Sequence, residues 1–140
     1  MKVIRDYIGQ IIKKEIKGSQ ESKNAFRISE LAKQETTYLV GIGALSPIEN
    51  QSGLYLTDEI PVTLTFQTPT KNASPEDFDA VMEKARRILS QIINVKNRKA
   101  QPRFQRIVPG DIEQDELQGN PETIETVINL TFEVTQEENQ

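Results

Sequence analysis

The sequence contains no cysteine, no histidine and no tryptophan. Without cysteine there are no disulfides, no thiolate metal ligands and no thiol nucleophile. Without histidine the commonest metal ligand and the usual general base of a catalytic triad are missing. Carboxylates, lysine, tyrosine and hydroxyls are what remains for catalysis, so the chain is expected not to be an enzyme. No cofactor, metal or small-molecule substrate is expected. No apolar run approaches the roughly 18 residues of a membrane span, and no membrane contact is expected. The stretch behind Lys2 and Arg5 is amphipathic rather than continuously apolar. That is not a secretory signal pattern, and an intracellular protein is expected.

What is present suits one domain over residues 1–135 with a polar tail at 136–140, in a chain of 140 residues that is 36% hydrophobic and 27% charged. The net charge of −4 conceals a strong segregation. Residues 84–106 hold eight basic side chains (Lys84, Arg86, Arg87, Lys96, Arg98, Lys99, Arg103, Arg106) and no acidic one. Residues 107–140 hold nine acidic side chains and no basic one. Such blocks call for a partner, inside the molecule or outside it.

Hydrophobic spacing predicts a helix over 2–17, where Val3, Tyr7 and Ile11 form one row and Ile4, Ile8, Ile12 and Ile16 the next. Gly18 is the expected left-handed stop, before a polar loop over 18–24. A short strand is read at Phe26–Ser29. A covered strand is read over Thr37–Leu45, ended by Ser46-Pro47. In residues 53–68 the apolar side chains Leu54, Leu56, Ile60, Val62, Leu64 and Phe66 all fall on even positions, the period of a strand with one buried face. Asp58 and Pro61 interrupt that pattern, predicting a bulge, a bend or an edge position. Ser74-Pro75-Glu76-Asp77 reads as a helix start and the 3.6 period then runs to about Ile93, with Arg86 and Arg87 late enough to complement the helix dipole. A basic loop follows over 94–103, then a strand over Phe104–Val108 closed by Pro109-Gly110. An acidic loop is read over 111–122 and a last strand over Ile124–Val134. Two amphipathic helices and long one-sided strands give an α+β two-layer sandwich, a mostly antiparallel sheet covered by two helices.

Motifs for chemistry are weak. Gly41-Ile42-Gly43 lies within a strand, where glycine admits a close neighbour rather than a nucleotide. Asp111, Glu113, Asp115 and Glu122 match positions 1, 3, 5 and 12 of a calcium loop, but Glu116 stands where the sharp turn needs glycine. These acids read as solvated. The basic stretch has three readings: neutralisation by the acidic strands of the same molecule, contact between copies, or nucleic-acid binding. An isoelectric point near 5.0 and the acids downstream weigh against the last. For a contact between copies, head-to-tail packing would pair one block with the other, and such heterologous contacts close into rings. The interface candidates are Arg86, Arg87, Lys96, Arg98, Lys99, Arg103 and Arg106 on one side, and Asp111, Glu113, Asp115 and Glu116 on the other. Reversing Arg98 and Lys99 to Glu is expected to impair assembly and leave the fold intact.

Taken in order, the segments 37–45 (Thr-Tyr-Leu-Val-Gly-Ile-Gly-Ala-Leu), 57–66 (Thr-Asp-Glu-Ile-Pro-Val-Thr-Leu-Thr-Phe), 74–89 (from Ser-Pro-Glu-Asp-Phe) and 126–134 (Thr-Val-Ile-Asn-Leu-Thr-Phe-Glu-Val) resemble the tail terminator, or tail completion, proteins of long-tailed bacteriophages. The resemblance is one of element order and hydrophobic spacing over about residues 37–134, and the basic 94–103 and acidic 111–122 segments have no counterpart in it. It implies a virion structural protein, made in the bacterial cytoplasm, that forms a homo-hexameric ring. The ring would cap the tail tube, end its polymerisation and join the tail to head-completion or neck proteins. DNA would be met only as it passes through the lumen. A neck or head–tail connector protein is the neighbouring alternative. A cytoplasmic regulatory module binding nucleic acid or a small acidic ligand through 84–106 is the alternative of another class.

Overall fold

The computed structural model describes residues 2–22, 36–49, 56–71, 73–117 and 120–135. The short strand expected at Phe26–Ser29, positions 53–55 of the long strand and the tail 136–140 lie outside them. The elements are helix α1 (Lys2–Glu15), strands β1 (Gln20–Glu21), β2 (Thr37–Ile42), β3 (Ser46–Glu49) and β4 (Leu56–Pro69), helices α2 (Pro75–Ile93) and α3 (Val95–Lys99), and strands β5 (Phe104–Leu117) and β6 (Asn120–Thr135). The strands form one sheet in the order β1-β2-β4-β6-β5, with β3 alongside β4. Every pairing is antiparallel except β1 with β2, and the two long helices cover one face. This is the α+β sandwich expected from the spacing.

β4 and β6 run in unbroken register from Thr57↔Thr135 to Pro69↔Thr123. Their even positions Ile60, Val62, Leu64, Phe66, Ile128, Leu130, Phe132 and Val134 are all buried toward the helices. Each fully buried aliphatic or aromatic side chain contributes roughly 1.5–3 kcal/mol, so this pair of strands dominates the core. α1 adds Ile4, Ile8 and Ile12 with no exposed surface, and Tyr7 meets Phe104 edge-on at 5.1 Å. Phe104 in turn meets Phe132 edge-on at 5.1 Å, tying α1 to both strands of the last hairpin.

α2 starts as the sequence predicts. The Ser74 Oγ accepts from the Asp77 backbone N–H at 3.2 Å, and the Asp77 carboxylate accepts from the Ser74 N–H at 3.1 Å. Pro75 at the first helical position completes the capping box. Arg86 and Arg87 sit too far from the end at Ile93 to act on the dipole, and the last turn has no basic residue.

Four local expectations are corrected. Pro61 causes no bulge in β4 and does not sit at the sheet edge. The Gly43 N–H bonds the Pro61 carbonyl at 2.8 Å, so the side of Pro61 that lacks a donor faces the gap where β2 has ended and β3 has not begun. No ladder bond is lost there. Gly43 fits that gap because a Cβ would stand 2.7 Å from the Pro61 ring. Ser46-Pro47, read as a stop, instead opens β3 on the far side of it. The polar stretch after Gly18, whose φ is 81°, yields the two-residue β1 rather than only a loop. The basic segment 94–103 contains a helical turn, α3, because the Asn94 side chain accepts from the Asn97 N–H at 3.1 Å and caps it.

The largest correction concerns 111–122. Its described residues, 111–117 and 120–122, are strand, not an acidic loop: β5 passes through Pro109-Gly110 and pairs with β6 as far as Leu117↔Asn120. The register slips between Pro109 and Ile112, which makes a bulge. Gly110 is required in it, since a Cβ would lie 2.8 Å from the Asn129 carbonyl oxygen.

Candidate interaction surfaces

Each candidate residue takes its place from these elements. On α2, burial of Ala85, Ile88 and Ile92 turns Arg86 and Arg87 to solvent. Arg87 lies 3.6 Å from Glu83 one turn earlier. Both side chains are mostly exposed, so the pair contributes little. Lys96 and Lys99 project freely from α3. Arg98 does not: its guanidinium donates to the carbonyls of Phe104 at 3.1 Å and Gln105 at 3.0 Å, holding α3 against the start of β5. Arg103 donates from Nε to the Thr135 carbonyl at 3.2 Å, while the Thr135 N–H bonds back to the Arg103 carbonyl at 2.8 Å. Arg98 and Arg103 are therefore structural clamps as well as cations. Reversing Arg98 to Glu will disturb the fold, contrary to the expectation for the Arg98/Lys99 double reversal.

The acidic candidates lie on the hairpin. Asp111 is in the β5 bulge, with its carbonyl 3.4 Å from the Asn129 amide. Glu113 opposes Val127 and Asp115 opposes Glu125, which puts both on the sheet face away from the helices. Glu116 opposes the buried Ile124, and its own side chain is exposed at the helix-side rim. Among the described residues none of these four carboxylates forms an ion pair with a basic side chain. In the calcium-loop pattern Asp111, Glu113, Asp115 and Glu122 would have to curl around one point. The first three are instead spread along the extended β5, and Glu122 stands on β6.

The sheet face away from the helices follows from the register; it is exposed at Glu59, Glu113 and Asp115 and buried at Thr37, Gln67 and Thr123. Across β5, β6 and β4 one row reads Arg106, Glu133, Glu59, and another reads Asp115, Glu125, Gln67. Like charges thus stand directly opposite one another at Glu59/Glu133 and Asp115/Glu125, an unfavourable arrangement. Arg106 relieves the first from 3.7 Å, and the Gln67 amide donates to Glu125 at 3.0 Å in the second. Arg106 is the one basic side chain on the described strands. The helices and the 94–103 connection carry all the other candidate cations. Folding therefore converts segregation along the chain into segregation across the layers, with an acidic sheet face and a cationic opposite side. The helices also carry six acids, Asp6, Glu15, Glu76, Asp77, Asp79 and Glu83, against ten basic side chains.

No family model matches the chain, and no curated protein matches it in sequence. Among solved structures it is similar to a chain of one titled "Virion of native gene transfer agent (GTA) particle", with a TM-score of 0.46 and 6% sequence identity, over 92% of this chain and 84% of that one.

Two groups with shifted pKa values are structural. Burial pushes the Tyr7 phenol up to about 12, with Arg98 pulling the other way, and its hydroxyl donates to the Ile92 carbonyl at 2.6 Å. Burial, reinforced by Glu21, likewise raises Tyr38 to about 12. Both phenols stay protonated at neutral pH. Among the described residues no cluster of carboxylates is arranged to hold a metal. The sequence places Glu59 on the polar face of its strand without marking it as an interface residue, and Glu125 and Glu133, which complete the acidic face with it, are legible in the odd-position spacing of the last strand although they were not among the candidates.

Proposed function

We propose that this chain is a virion structural protein that acts by assembly rather than catalysis: a tail terminator whose copies form a ring on the tail tube and stop its growth. The resemblance of residues 37–134 to that family supports the reading. The observation that carries it is the charge division. Glu113 and Asp115 on the sheet face away from the helices, and Lys96, Lys99, Arg86 and Arg87 on the helical side, have little or no internal neutralisation. A head-to-tail contact sets the cationic side of one copy against the acidic hairpin of the next, and a contact of that kind repeats until the ring closes. β5 is an edge strand, and its carboxylates keep it from pairing indiscriminately with other edges while leaving it open to a cationic partner. A hexamer, with the tail tube and head-completion proteins as partners, is the assembly that the family resemblance suggests.

The test is the native mass of the purified protein by light scattering, alone and with the tail-tube protein of the same genome. A hexamer, free or at tube ends, is the expected result. A monomer that ignores tubes and instead binds DNA or RNA in a salt-dependent way would overturn the proposal in favour of a nucleic-acid module.

A further inference from the structure

A groove runs along the outer side of α1, against the connection from α2 to β5. It consists of two adjoining hollows of about 250 and 540 Å³ that share Tyr7, Gln10 and Gln101. Tyr7 and Ile11 give it a floor, Lys2 borders one end and Lys14 the other. α3 contributes Asn97 to its wall and carries the exposed Lys96 and Lys99. Among the described residues none of these four lysines has an ion-pair partner. Asp6 and Glu15 also lie on the rim, so the cations outnumber the acids without forming a continuous positive track.

The complementary surface lies at the far end of the sheet. β5 begins at Phe104, whose ring meets Tyr7 of the groove floor at 5.1 Å, and ends at Leu117. An extended strand of that length carries the chain roughly 40 Å away from the groove. There β5 and β6 run on as a pair to Leu117↔Asn120, past the last β4–β6 partners at Pro69↔Thr123. Asp115, Glu116 and Glu122 are exposed toward this end of the hairpin, and no basic side chain follows Arg106 in the sequence. The two surfaces are too far apart to meet within one molecule. We infer that the groove beside α1 receives the acidic end of the β5–β6 hairpin of a second copy, with Asp115, Glu116 and Glu122 drawn to Lys2, Lys14, Lys96 and Lys99. The inference rests on the ring reading and gives its head-to-tail contact a place. The side-chain amides of Gln10 and Gln101 make no hydrogen bond among the described residues, and a primary amide can both donate to and accept from the outer backbone edge of β5. Because hairpin and groove are different surfaces, each copy that docks its hairpin leaves its own groove open to the next. A nucleic-acid strand fits less well, since Asp6 and Glu15 would stand against its evenly spaced phosphates.

The absence of cysteine allows a direct test. One variant carries Gln10→Cys and Glu116→Cys together, both at exposed positions whose replacement leaves the core untouched. The two thiols stand too far apart to pair within a chain, so a disulfide between them joins copies and repeats into a ladder of covalent multimers under mild oxidation. The comparison is Arg87→Cys with Glu116→Cys, which places the first thiol on the exposed outer face of α2 instead. Docked thiols react at a raised effective concentration, and the groove pair is expected to close about ten-fold faster than the comparison pair. Adding Lys14→Glu to the groove variant should remove that advantage. Equal rates, or a faster Arg87 pair, in a protein whose native mass shows assembly would overturn the inference and leave the ring reading standing. A wild-type protein that stays monomeric at every concentration would overturn both. Salt-dependent DNA binding that Lys14→Glu abolishes, with no groove disulfide, would overturn the inference and assign the groove to nucleic acid.

Discussion

Val62→Asp tests the buried face of β4 most severely. Val62 is 1% exposed and sits between Ile42 on β2 and Leu130 on β6. Replacing it loses about 2 kcal/mol of apolar burial. The new carboxyl must also stay neutral in the core. Holding an Asp protonated at pH 7, about three units above its ordinary pKa, costs about 4 kcal/mol. Its unpaired polar atoms cost about 1–3 kcal/mol more. The total of roughly 7–9 kcal/mol is comparable to the whole stability of a typical domain, about 5–15 kcal/mol. Urea unfolding followed by circular dichroism should therefore find Val62→Asp unfolded or nearly so at pH 7. It should be less impaired at pH 4, where the protonation cost almost vanishes. Thr63→Asp, one residue along and exposed on the other face, should change stability by no more than about 0.5 kcal/mol. A Val62→Asp protein with a cooperative transition near that of the wild type would refute the facing of β4 and the core built on it.

Two further predictions concern the frame. Tyr7 and Tyr38 have folded pKa values near 12, against 10 when unfolded. The fold thus holds protons that the unfolded chain releases, so their contribution is complete below pH 10 and lost as pH rises from 10 to 12. The loss is about 3 kcal/mol for each phenol; a flat stability profile over that window, with no difference between wild type and Tyr7→Phe, would refute it. Gly110→Ala should cost about 1–3 kcal/mol in denaturant midpoint because its Cβ meets the Asn129 backbone, and a neutral substitution would mean that the bulge is not as described.

The sequence made some elements plain and hid others for physical reasons. β4 and β6 could be read because their inward residues keep even parity for the length of the strands. β5 could not. Its inward residues are Phe104, Ile107 and Ile112, even, then odd, then even again, because the register slips once between Phe104 and Arg106 and again between Pro109 and Ile112. No single period-2 pattern survives two slips, and the acids beyond them read as a loop. β1 has two residues and exists through its pairing with β2, which no local pattern announces. The charge blocks were visible along the chain. Their division between the two faces was not, because it depends on which side of β5 and β6 each carboxylate takes.

The central claim is that copies meet through opposite charges on opposite faces, and a charge exchange between two variants tests it most directly. One variant carries Lys96→Glu and Lys99→Glu, and the other carries Glu113→Lys and Asp115→Lys. Each alone should lose the wild-type native mass, since each presents like charges on its two faces. Mixed in equal amounts at low salt they should regain it, alternating around the assembly, and lose it again as added salt screens the contact. Two folded variants that remain unassembled when mixed, or that each assemble normally alone, would contradict the account.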